Sequence, residues 1–203
     1  MKLYYSPGAC SLASHILLRE TGAEFALERV DTARHATEAG ADYYPINPKG
    51  QVPLLELADG QRLSEGPVIG QYLSERAGAQ SLLPREGLAR YRVLEWQNYV
   101  ATELHKSFSP LFNPAMPDEA KNIFREKIGK TFGHINDRLA GRDYLMGSQF
   151  TVADGYLFTM LRWALGLKFD LAQHPNVKAY FDRVGARPKV KEAMLAEGLI
   201  KAA

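Results

Sequence analysis

The chain has 203 residues, 46% of them hydrophobic and 24% charged, with a formal net charge of +2 and a single cysteine. These figures exclude a disordered chain, an internal disulfide and a strongly basic nucleic-acid binder, and they leave room for one large domain or two small ones. No apolar run approaches the ~20 residues of a membrane span, and the first residues enter a strand pattern without a signal-peptide signature. A cytoplasmic protein with no membrane or nucleic-acid partner is therefore expected. The five histidines have no spacing that would join the cysteine in a metal site, so no metal is expected.

In chain order, Lys2-Leu3-Tyr4-Tyr5 reads as a strand that runs into a Pro7-Gly8 turn, and Leu12 to Leu18 has apolar residues at helical spacing. Cys10 thus sits where a helix begins, where unpaired N–H groups and the helix dipole favour a thiolate. Taken alone it reads better as a small buried hydrophobe. Phe25 to Val30 is a second alternating strand, parallel to the first. The polar segment Asp31 to Gly40 and the short Asp42-Tyr43-Tyr44 then lead to Asn47 to Pro53, a loop dense in turn formers. Leu54 to Leu57 and Arg62-Leu63 form a hairpin about Asp59-Gly60, and Ser64-Glu65-Gly66-Pro67 opens a helix. The order is β-α-β-α-β-β-α.

Residues 79–87 read as a linker, with Gly78 and Gly87 about it and Pro84 inside. Beyond it the period is helical throughout: Leu88 to Phe108, Asp118 to Leu139, Val152 to Leu167, Asn176 to Val184 and Lys189 to Ala196. The expected division is a first domain over 1–78 and an all-helical domain over 88–203. On the first long helix, Glu95, Asn98, Thr102, His105 and Lys106 form a polar stripe, which in isolation reads as a solvated face. Thr151-Val152-Ala153-Asp154 is a capping box in its aspartate form and is assigned to folding. Trp163 at helical spacing reads as core.

Tyr5, Pro7-Gly8-Ala9-Cys10-Ser11, Asn47-Pro48-x-Gly50-x-Val52-Pro53 and Glu65-Gly66 together resemble the bacterial beta class of glutathione transferases, and Asn98 to Lys106 resembles that class's cleft helix. The resemblance implies an α/β thioredoxin-like N-terminal domain followed by an all-helical domain, a homodimer, and glutathione as co-substrate with no metal. It implies a cis Pro53, Val52 pairing through its backbone with the ligand's cysteinyl part, and Glu65 and Gly66 holding the γ-glutamyl end. Cys10, His105 and Tyr5 would act on the glutathione sulfur. Asn98, Thr102, Glu103 and Lys106 would lie near the ligand, Glu103 across a dimer interface. Phe108, Phe112 and Trp163 would wall the pocket for a small hydrophobic electrophile. His35 stands where many relatives carry lysine, near the expected glycine carboxylate of glutathione, and supplies less charge there.

The implied activity is attack of the glutathione thiolate on hydrophobic electrophiles in detoxification of xenobiotics, including dehalogenation of aromatic breakdown products. Two alternatives use the same scaffold: a glutaredoxin-like thiol–disulfide oxidoreductase acting through Cys10, and a non-enzymatic binding protein.

Overall fold

The structure, a computed structural model, describes residues 1–201. Chain contacts divide it into two units, one of residues 1–80 joined by the chain from Arg187 onward, the other of Ser81–Ala186.

The first unit is built on a five-stranded sheet in the order β3-β2-β1-β4-β5, with β1 at Lys2–Tyr5, β2 at Ala26–Asp31, β3 at Ala36–Thr37, β4 at Leu54–Glu56 and β5 at Arg62–Ser64. β1 pairs parallel with β2, Leu3 opposite Leu27, and antiparallel with β4, Leu3 opposite Leu55. The parallel pair needs a crossover, which α1 (Ser11–Glu20) supplies. Residues Ser11 to Leu18 of α1 are all buried, so this helix is enclosed on every side. α2 (Gly66–Arg76) follows the hairpin with Pro67 in its first turn, where the missing N–H costs nothing. This is the thioredoxin-like arrangement, with one difference in detail. The second helix of the expected order does not form. Asp31 Oδ1 accepts from the N–H groups of Ala33 and Arg34 at 3.0 and 3.1 Å, turning the chain sharply, and the edge strand β3 occupies the segment instead. With no apolar face at helical period, a helix there would have nothing to bury.

The last helix, α8 (Pro188–Ala196), lies in this first unit and not with the other helices. It packs on α1, where the Arg187 guanidinium makes a two-pronged ion pair with Glu20 at 2.8 and 2.9 Å. The period that marks it as a helix carries no information about which unit it joins.

The second unit is all-helical: α3 (Gly87–Tyr99), a π-helical stretch (Val100–His105), α4 (Lys106–Phe112), α5 (Asp118–Leu139), α6 (Val152–Gly166) and α7 (Pro175–Gly185). The apolar side of α5, Ile128, Phe132, Ile135 and Leu139, is buried, as its period requires. α6 is buried from Val152 to Leu161. Leu82 and Leu83, within the expected linker, are also buried, and the Leu82 carbonyl accepts from the Val152 N–H at 3.0 Å. None of the helices is long and apolar enough to cross a membrane among the described residues.

Candidate functional site

The turn between β1 and α1 is fixed from several sides. Ser11 Oγ accepts from the Ser6 N–H at 3.2 Å and donates to the Ser6 carbonyl at 3.3 Å, tying the two ends of the turn together. Gly8, at φ +72°, donates its N–H to Glu197 Oε2 at 2.9 Å, and a Cβ there would meet Leu199 at 3.3 Å. Glu197 Oε1 lies 2.9 Å from His15 Nδ1, and the side chains of both are fully buried. Arg19 Nε donates to His15 Nε2 at 2.9 Å, which leaves Nδ1 as the protonated nitrogen facing the carboxylate. The chain's end thus holds the loop in front of α1. No sequence pattern pointed to Glu197 or His15, because their pairing spans 182 residues.

On this turn Cys10 is half-buried, with helical backbone angles of φ −59° and ψ −20°, and its Sγ donates to the Val52 carbonyl at 3.2 Å. The two residues expected to act on the same ligand are therefore neighbours. Tyr5, at the end of β1, is buried. Burial first, then the negative Glu197 and Glu38, raise its phenol above the ordinary value, with Arg29 opposing. A neutral hydroxyl is what this setting favours.

The Val52–Pro53 peptide is cis. The loop before it is clamped at Gln51, whose carbonyl accepts from Asn47 Nδ2 at 2.7 Å and from the Tyr43 hydroxyl at 3.1 Å. Burial pushes the fully enclosed Tyr43 phenol up to about 12. His35, at φ +50°, brings its Nδ1 to 3.2 Å from the Gly50 carbonyl and sets its ring, tilted by 32°, 4.5 Å from that of Tyr44. Gly50 must be glycine here, because a Cβ would come within 2.7 Å of His35 Nδ1 and 3.0 Å of Tyr44.

Glu65 precedes α2 with φ +69°, a conformation that a residue with a side chain adopts only at a cost in strain. Its carboxylate is exposed and paired with Lys49 Nζ at 2.7 Å, which also donates to Ser64 at 3.1 Å. Gly66 begins the helix behind it. Lys49 was not singled out from sequence, since the Asn47-Pro48-x-Gly50 pattern leaves its position open.

In the helical unit the expected residues fall on or beside the π-helical stretch. Such wide turns shift the phase of a helix by about one residue and recur at functional sites. Asn98 lies in the last turn of α3; Thr102, Glu103 and His105 lie within the stretch; Lys106 opens α4. The Thr102 hydroxyl donates to the Asn98 carbonyl at 3.1 Å. Glu103 pairs at 3.1 Å with Lys127 of its own unit. His105 Nδ1 is hydrogen-bonded to the Tyr156 hydroxyl at 2.5 Å, and its ring meets Trp163 edge to face at 4.9 Å. Tyr156 is a partner that sequence reasoning treated only as part of a helix face. Phe112 is exposed and 5.1 Å from Trp163. Phe108, expected on the pocket wall, is completely buried at 6.1 Å from Trp163, so it backs that indole from inside the core.

A family model described as the N-terminal domain of glutathione S-transferase matches residues 8–76, and one for the C-terminal domain matches residues 99–188. The chain is 48% identical to glutathione S-transferase GstA of Escherichia coli O157:H7 over 98% of its own length and 100% of the relative's. Among solved structures it is similar to a sphingomonad glutathione S-transferase complexed with glutathione, at 46% identity and a TM-score of 0.94, covering 98% of this chain and 100% of that one. It is equally similar in shape, TM-score 0.94 at 43% identity and with the same coverage, to the bacterial beta-class enzyme of Sphingomonas chungbukensis. Sequence shared at that level along the whole length, with both domain models matched in order, leaves a single conclusion: the chain belongs to the glutathione S-transferase family of enzymes, in its bacterial beta class.

Proposed function

We propose that this transferase joins the thiolate of glutathione to small hydrophobic electrophiles, aromatic halides among them. In such a substitution the sulfur–carbon bond forms as the carbon–halogen bond breaks, and the halide leaves with the bonding pair. The thiol proton departs to solvent or a nearby base before attack. The observation that carries the reading is the meeting of Cys10 and Val52. The cysteine at the start of α1 lies 3.2 Å from a backbone carbonyl suited to bind an extended peptide as an added strand. A ligand whose cysteinyl backbone pairs with Val52 would bring its own sulfur to that helix start, where N–H groups and the Cys10 thiol can stabilise a thiolate.

The γ-glutamyl end is assigned to Glu65 and Gly66. Glu65 already holds one ammonium group, that of Lys49, and can hold another. His35 is assigned to the glycine carboxylate. Asn98, Thr102, Glu103 and Lys106 are assigned to the ligand's surroundings, and His105 to its sulfur. The Tyr156 hydroxyl, hydrogen-bonded to Nδ1, holds the His105 ring in its orientation. Phe112 and Trp163 present aromatic surface suited to an apolar electrophile. A homodimer fits the exposed apolar Leu88 and Tyr91 of α3 and Ile123 of α5.

The half-buried Cys10 thiol also suits a second reaction, attack on a glutathione mixed disulfide with the displaced thiolate leaving. Cys10→Ala separates the two. Under the transferase reading the variant keeps conjugation of 1-chloro-2,4-dinitrobenzene and loses reduction of a mixed disulfide. Loss of both activities in a folded variant overturns the ranking.

A further inference from the structure

Val52 belongs to a small core cluster with Tyr4, Val30, Tyr43 and Leu54, and it is only 8% exposed. Its carbonyl accepts from Cys10 Sγ, but its N–H has no acceptor among the described residues. Nearly all N–H groups of buried residues are paired, so an unpaired one beside a site marks where a ligand's acceptor belongs. What aims that N–H lies on the other side of the same peptide unit.

The Gln51 carbonyl and the Val52 N–H share one planar trans peptide, in which the two point in opposite directions. The carbonyl is drawn inward by two donors, Asn47 Nδ2 at 2.7 Å and the Tyr43 hydroxyl at 3.1 Å. Tyr43 is fully buried and Asn47 nearly so. Asn47 Oδ1 accepts from the Lys49 N–H at 3.2 Å, which sets its amide with the nitrogen toward Gln51. Bonds from two separate side chains fix the plane of the peptide, where one bond would leave it free to swing. The Val52 N–H is thereby aimed away from Tyr43 and Asn47. With burial pushing its phenol up to about 12, Tyr43 remains a neutral donor at neutral pH.

We propose that Tyr43 is a positioning residue for glutathione: together with Asn47, and through the Gln51 carbonyl, it aims the Val52 N–H at the carbonyl of the ligand's cysteinyl residue. This rests on the assignment of that part of the ligand to Val52. Fully enclosed, Tyr43 reaches no ligand itself. Its effect is confined to the one ligand group that the Val52 N–H binds. A residue that merely supports the fold would, when changed, weaken every ligand of the site alike.

The experiment titrates the full-length protein by calorimetry with two fragments of glutathione, each carrying an S-hexyl group for affinity. S-hexyl-γ-glutamylcysteinamide keeps the cysteinyl carbonyl, and S-hexyl-γ-glutamylcysteamine differs only in lacking the carboxamide that contains it. The first is expected to bind at least about tenfold more tightly. Tyr43→Phe keeps the ring and removes the hydroxyl. It should weaken the carbonyl-bearing fragment by about threefold, with Asn47 still holding the peptide, and leave the other fragment unchanged. Tyr4→Phe is the control, since its ring lies 5.7 Å from that of Tyr43 in the same cluster while its hydroxyl bonds Glu56 at 3.4 Å instead of the loop. It should change neither affinity. If the unaltered protein binds neither fragment, or both equally, the assignment of the cysteinyl carbonyl to Val52 falls, and the proposal with it. If it separates them but Tyr43→Phe weakens neither, weakens both equally, or is matched by Tyr4→Phe, the proposal alone is overturned.

Discussion

At the start of α6 the buried Asp154 accepts four hydrogen bonds, from the Thr151 N–H and hydroxyl, the Leu145 N–H and the Tyr180 hydroxyl, at 2.7 to 3.1 Å. At the start of α1 no side chain caps the first turn, and the loop is held from behind by Glu197 through the Gly8 N–H. Both helix starts carry the same partial positive charge. One uses its donors for folding; the other is shaped firmly while the face around Cys10 stays half-open. A closed cap and a braced, uncapped turn are thus two uses of the same helix physics, and the difference marks which one can bind something.

The largest effect expected from breaking this contrast is at the closed start. Asp154→Ala strands three buried donors, the Tyr180 hydroxyl keeping the backbone carbonyl of residue 154 at 3.0 Å, and should cost about 3–5 kcal/mol of unfolding free energy, read by urea denaturation, while the folded fraction keeps its KM for glutathione. At the braced start, Glu197→Ala removes the carboxylate that holds the Gly8 N–H and the His15 ring. It should cost about 2–4 kcal/mol and, unlike Asp154→Ala, lower kcat/KM in the fraction that remains folded. Equal kinetic effects in the two variants would remove the distinction.

Smaller changes sharpen it. Tyr156→Phe removes the hydroxyl bonded to the His105 ring and should lower kcat by about tenfold with KM for glutathione unchanged, measured by initial rates. His35→Lys should lower that KM by about threefold, because the charge it adds is partly exposed. The smallest effect is expected at Tyr5. Its folded-state affinity for a proton is raised, so any stability it contributes is complete at neutral pH and is lost only as pH rises through its raised value. Tyr5→Phe should leave the shape of the kcat/KM profile between pH 6 and 9 unchanged.

Much of this molecule is legible in the chain because its signals are local. Asp118–Leu139 is one uninterrupted helical period, the Asp59-Gly60 hairpin is two residues of turn chemistry, and Thr151 to Asp154 is a capping box within one turn. Cys10, Val52 and Glu65 could be chosen from their motifs. The residues that brace them could not. Lys49 reaches Glu65 across 16 residues, Tyr156 reaches His105 across 51, and Glu197 reaches Gly8 across 189. Hydrogen bonds of that kind leave no periodicity behind.

The π-helical turn at Val100–His105 was also hidden, since its residues suit an ordinary helix, and only packing decides where a helix admits a wide turn. The sequence by itself determined the element types, the turn positions and the motifs of the family, because these follow from side-chain period and backbone preference within a few residues. Only the tertiary structure decided that α8 returns to pack on α1 and that Phe108 backs Trp163 instead of facing outward. Each of those outcomes is a contact between distant segments, and burial and charge are properties of where segments meet.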